Sequence, residues 1–157
     1  MKRAAWASVV GAGILVCVAF AQAPGRPVVK TPPRLEPVAE TKLLMEGLAQ
    51  PNLAALGRGL KDRPADANAW TLARGQALLL AETGNLLLIR PPRNQGQDAW
   101  MERATELRTA ASRLALAISK QDWERGRGGV AEVAVACNRC HQQFRVPVKV
   151  NPFAEAE

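Results

Sequence analysis

The chain has 157 residues, with 21 Lys and Arg against 14 Asp and Glu, a net charge of +7 and a single histidine. That length holds one domain and little else. The positive charge is spread along the chain without a Lys/Arg block, so it gives nucleic-acid binding no support and licenses only a weak preference for acidic partners.

The N-terminus reads as an export signal. Lys2 and Arg3 form a basic n-region, Ala4 to Phe20 is an uncharged and mostly apolar run, and Ala19-Phe20-Ala21 puts small residues at the two positions a signal peptidase reads. Cleavage after Ala21 is expected, giving a signal over 1–21. A cut after Ala23 would leave Pro24 directly behind it, which peptidases tolerate badly. The alternative is an uncleaved membrane anchor, for which the run barely reaches the roughly 20 residues a span needs. A lipoprotein signal is disfavoured, because Val16 ahead of Cys17 is too large. With Lys2 and Arg3 removed, 19 basic residues face 14 acidic ones, a net charge of +5. Cys17 leaves as well. Of the three cysteines only Cys137 and Cys140 then remain, which makes no disulfide framework.

Residues 22–37 contain Pro24, Pro27, Pro32, Pro33 and Pro37 and read as an extended linker. From residue 38 to 146 the chain is rich in Ala, Leu, Arg, Glu and Gln, and the spacing predicts four helices. The first runs from about Val38 to Leu60, with Leu44, Leu48, Ala55 and Leu56 inward and Pro51 expected to kink or break it. The second runs from Asp66, a candidate N-cap, to about Ile89. Trp70, Ala73, Ala77, Leu80, Gly84 and Leu87 form its inner face, and Pro91-Pro92 ends it. The third covers about Asp98 to Lys120 with a stripe of Trp100, Ala104, Leu107, Ala111, Leu114 and Ile118. Glu102, Arg103, Glu106, Arg108 and Arg113 fall off that stripe and are expected in solvent. The fourth begins at Asp122, another candidate N-cap, and reaches about Val146. Val130, Val133, Ala134, Cys137, His141 and Phe144 share one face. Short connections between similar helices favour antiparallel neighbours, hence an all-α antiparallel four-helix bundle. The tail over 147–157 is expected to be loose.

The chemistry is concentrated in one pentad, Cys137-Asn138-Arg139-Cys140-His141. This is C-x-x-C-H, the attachment pattern of haem c. Residues three and four apart are neighbours on a helix, so both thiols and the imidazole project from one side. Two thiols there add to the two vinyl groups of a haem, and the imidazole reaches the iron. Both cysteines and the lone histidine of the mature chain lie in this one pentad. A structural zinc site needs four ligands, a thioredoxin-like pair expects a preceding strand, and a helix with two buried thiols is the bland alternative. With one histidine, bis-histidine ligation within one chain is impossible, and Met45 and Met101 are the methionines left for a sixth ligand. A methionine on a helical stripe also serves as core filler.

A haem motif near the C-terminus, on the last of four expected helices, resembles the cytochrome c prime family. The resemblance covers about Val38 to Arg145 and is most specific over Ala136-Cys137-Asn138-Arg139-Cys140-His141-Gln142-Gln143-Phe144-Arg145. Asp98-Ala99-Trp100 and the apolar stripe from Leu107 to Leu116 also look like the family, and Arg90-Pro91-Pro92 is a weaker match. The resemblance implies a left-handed antiparallel bundle over 38–146 with one covalent haem c near one end, held by Cys137, Cys140 and His141. It puts Arg145 at the haem edge against a propionate, where a solvated helix end is the plain alternative.

One branch of the family has an apolar residue at the sixth position on the first helix, and its five-coordinate iron binds nitric oxide or carbon monoxide. The other has a methionine there and transfers electrons. Met45 in Leu43-Leu44-Met45-Glu46-Gly47-Leu48 falls where that methionine lies, although Thr41 stands where the family often has Arg and Pro51 follows unusually soon. The expectation is therefore a periplasmic, non-enzymatic one-electron carrier ligated by His141 and Met45, serving redox partner proteins of a bacterial envelope. Five-coordinate gas binding is the alternative. A peroxidase would need a distal acid/base, for which no second histidine exists. The resemblance also implies dimerisation through the first two helices, which the sequence leaves open. Membrane contact is expected only if the signal is uncleaved.

Overall fold

Among the described residues the first hydrogen-bonded turn begins at Thr41, four residues after Pro37. The computed structural model describes residues 34–94 and 96–154. The expected signal and residues 22–33 of the linker lie outside the described residues, as do 155–157. The described chain is all-helical, with four packed helical segments and no strand. None of these helices is long and apolar enough to cross a membrane.

The first segment is continuous from Thr41 to Gly59 and consists of α1 (Thr41–Leu44), a π-helical turn (Met45–Ala49) and α2 (Gln50–Gly59). Pro51 neither breaks nor ends it. Proline has no N–H to give the carbonyl four residues back, and its ring crowds that carbonyl. Widening the preceding turn to a π spacing removes the conflict. The Asn52 side-chain amide then donates to Leu48 O at 2.7 Å, filling an acceptor beside the altered ladder. The extra residue moves the buried stripe. It runs Leu44, Ala49, Leu53, Leu56 and Leu60, with one step of five where the π turn lies. Leu48 and Ala55, expected inward from uninterrupted helical spacing, are only half-buried.

α3 spans Ala67–Leu88, and its N-cap Asp66 accepts from Ala69 N at 2.8 Å, as expected. All six residues of its expected face are buried. α4 spans Gln97–Ser119 and starts at Gly96, whose φ of 79° is left-handed backbone that glycine adopts without cost. Gly84 lets α3 and α4 meet closely. A Cβ there would lie 2.8 Å from Arg108 N and 2.9 Å from Ala104 O. These are backbone atoms, so the helices themselves would have to part. Gly84→Val is expected to cost about 1–3 kcal/mol by overpacking, read as a lowered thermal midpoint in the helical circular dichroism signal.

α5 spans Trp123–Gln143, and its N-cap Asp122 accepts from Arg125 N at 3.1 Å. Two indoles close helix ends elsewhere in the bundle. Trp100 Nε1 donates to Leu87 O at 2.7 Å and Trp123 Nε1 to Leu60 O at 3.2 Å, adding side-chain donors to carbonyls at the ends of two helices. α3 packs most extensively on α4, and α4 on α5. Arg90 Nε donates to Ala39 O at 3.1 Å, and Trp100 meets Phe144 edge-to-face at 5.2 Å. Leu60 and Ile118 lie beside Gly126.

α5 stops earlier than the expected Val146. Val146 precedes Pro147, which disfavours helical backbone there. The chain reverses at Arg145, with φ of 55°, while Val146 N bonds to His141 O at 2.8 Å and Arg145 N to Gln142 O at 3.3 Å. This is a Schellman closure with an arginine where glycine is usual. The tail beyond is not loose. Val150 and Phe153 pack against the core, and Pro152 O sits so close to Gly57 that a Cβ there would come within 1.7 Å. The Arg127 guanidinium lies 5.9 Å from the Trp123 ring and 5.5 Å from the Phe153 ring, covering both.

Candidate functional site

The last turns of α5 carry the pentad. Helical spacing puts Cys137, Cys140 and His141 on one side, and all three are half-buried. Both thiols are free. Cys137 packs against the core. Burial, helped by the neighbouring Cys140, pushes its thiol up to about 12. Burial also raises the Cys140 thiol. Arg103 opposes that rise, and Glu106 adds to it. Both therefore rest as neutral thiols at pH 7, the reverse of the lowered thiol that drives disulfide exchange.

The imidazole of His141 is oriented from the tail. Its Nδ1 lies 2.9 Å from Val148 O. A carbonyl only accepts, so Nδ1 carries the proton and donates, and Nε2 keeps its lone pair for a ligand.

The two inner residues of the pentad each make a long-range tie. Asn138 and Val150 exchange two hydrogen bonds, Nδ2 to Val150 O at 2.9 Å and Val150 N to Oδ1 at 2.8 Å. Arg139 Nη1 donates to Glu106 Oε1 at 2.6 Å, and the other oxygen of that carboxylate accepts from Arg103 Nη1 at 2.6 Å. Arg103 also pairs with Glu102. The expectation that Arg103 and Glu106 stand in solvent therefore fails. Their side chains are 16% and 26% exposed, because the end of α5 lies across them. Arg103 Nε is buried without a hydrogen-bond partner.

The other expected site residues are placed less closely. Met45 opens the π turn, is half-buried and packs against the core. The π turn packs on α3, and it is α2 that packs on α5. Met101 is 42% exposed near the start of α4. Arg145 is exposed, and its side chain makes no ion pair among the described residues. Among the described residues no three His, Cys, Asp or Glu side chains converge to hold a single metal ion. Two shallow clefts lie away from the pentad. One, of about 290 Å³, is bordered by Arg113, Arg125 and Glu132, and one of about 530 Å³ by Leu72, Leu78 and Leu79.

Asn138, Val148 and Glu106 escaped the sequence reading. The variable positions of C-x-x-C-H carry no pattern of their own. The one available hint was Val146-Pro147-Val148-Lys149-Val150, whose alternating valines suit an extended, half-buried strip. Compared with known proteins, the chain matches no family model, no curated protein and no solved structure.

Proposed function

We propose that this chain is an exported monohaem c-type cytochrome of the cytochrome c prime kind, a one-electron carrier with haem c tethered by Cys137 and Cys140 and ligated by His141 and Met45. The observation that carries the reading is the donor set. Two free, half-buried thiols and an imidazole with its Nε2 available lie on one side of α5. That set fits a haem with two vinyl groups and an iron, and it does not fit a four-ligand zinc site.

Bound haem supplies a one-electron ferric–ferrous couple. The chain's own residues hold and tune it. Cys137 and Cys140 fix the ring against α5, and His141 presents Nε2 to the metal. The thioether of Met45, a softer ligand than imidazole, raises the potential. The π turn that Met45 opens supports its role, since such turns concentrate at functional sites. Arg145 sits one turn beyond His141, in the left-handed backbone conformation, with its guanidinium available to a propionate. The pairings Leu87–Trp100 and Gly84–Ala104 support an antiparallel run of α3 against α4, and Trp100–Phe144 joins the end of α5 to the same place. A haem near that end lies within reach of both α1 and α5. Export to the periplasm, where c-type maturation occurs, accords with the N-terminal signal pattern, and electron transfer to envelope redox proteins requires no acid/base residue.

The test is the visible spectrum of protein made in a host with cytochrome c maturation machinery, oxidised and then reduced, with and without carbon monoxide. Covalent haem, low-spin bands and no response to the gas are expected. High-spin bands that shift with carbon monoxide would move the assignment to five-coordinate gas binding and leave Met45 as core. Protein purified without haem would end the cytochrome reading.

A further inference from the structure

We propose that the C-terminal tail is a positioning element for the haem ligand, with the Val148 carbonyl holding the His141 imidazole and lowering the potential of the couple. The inference rests on the cytochrome reading and adds to it a part of the chain outside the haem motif.

Four contacts make the tail a clamp. Val146 N bonds to His141 O at 2.8 Å, and Val148 N bonds to Val146 O at 2.8 Å. Val150 is locked to Asn138 by its two hydrogen bonds. Farther out, Pro152 rests on Gly57 of α2. Val148 is therefore held between two anchored valines, and its carbonyl lies 2.9 Å from Nδ1. Pro147 limits the backbone between them further. Asn138 lies inside the pentad itself, so the segment that binds the ring also fixes the strap that orients its ligand. A hydrogen bond from Nδ1–H to a carbonyl fixes the tautomer and makes the other nitrogen a stronger donor. A stronger donor favours the ferric state. A tail that only packed would add stability and leave the couple alone.

The experiment compares the wild-type holoprotein with two variants. One ends at Pro147, which removes Val148 and everything after it. The other is Gly57→Ala. The three atoms nearest its Cβ are all Pro152 backbone, with O at 1.7 Å and C at 2.7 Å, so it displaces the tail and leaves the pentad unchanged. Haem content, midpoint potential and deuterium exchange of the His141 Nδ1 proton in the reduced protein are measured. Both variants are expected to retain haem, to exchange the Nδ1 proton faster and to favour the ferrous state. For the truncated chain the shift is up to about tenfold in the ferric–ferrous equilibrium, 59 mV for a one-electron couple. Haem-loaded variants with unchanged potential and unchanged exchange overturn the inference while leaving the cytochrome reading standing. Wild-type protein without haem overturns both. If the truncated chain does not fold, Gly57→Ala alone decides, since alanine is a better helix former than glycine.

Discussion

Replacing Cys137 and Cys140 together by alanine is expected to abolish covalent haem while leaving the helices folded. In the wild type, haem should remain with the polypeptide after denaturation and acidified-solvent extraction. In the double variant all of it should pass into the organic phase. The bundle should survive because neither thiol carries charge at neutral pH. Burial holds Cys137 up to about 12 and raises Cys140 as well, so alanine removes no ion and no ion pair. The loss is a little packing around two half-buried side chains, about 1 kcal/mol each. Either single replacement leaves one thioether and should retain haem under the same extraction. Covalent haem in the double variant would show that attachment runs through other residues.

The second large effect is expected at Met45. Met45→Ala should convert low-spin iron to high spin and open the reduced protein to carbon monoxide, seen as a shift of its absorption bands. Met45 opens the π turn, which packs on α3. Its half-buried side chain also fills space, so the variant should lose about 1–2 kcal/mol of stability, below the range for a fully buried methionine. The spectrum separates the two roles, because core filling alone predicts lower stability with unchanged bands. Met101→Ala is the control. That side chain is 42% exposed on α4, and its removal should change neither spectrum nor stability. Low-spin bands that persist in Met45→Ala would assign the sixth position elsewhere.

The difference between these residues also marks how far the sequence could be read. Helical periodicity placed α3 and α4 to within a residue or two, because nothing in Ala67–Leu88 or Gln97–Ser119 interrupts 3.6-residue spacing. Asp66 and Asp122 were legible as caps, since a short acceptor before an apolar run has few other uses. The pentad was legible for the same local reason, as its chemistry lies within five consecutive residues. In the first segment the local rule broke down. Pro51 forced a π turn, Ala49 took the buried place projected for Leu48 one residue on, and Leu53 is buried where Ala55 is only half-buried.

What the tertiary structure alone decided joins residues far apart in the chain. Glu106 bridges Arg103 and Arg139 because α4 and α5 lie side by side, although Arg103 and Glu106 looked like solvated charges by themselves. The tail folds back because Asn138 and Val150 satisfy each other's polar groups and Gly57 leaves room for Pro152. Val148 O reaches His141 Nδ1 as a consequence. Local propensity and spacing act over a few residues and are written in residue type. A backbone carbonyl carries no side-chain signature, so which one meets an imidazole is settled only when the chain returns on itself.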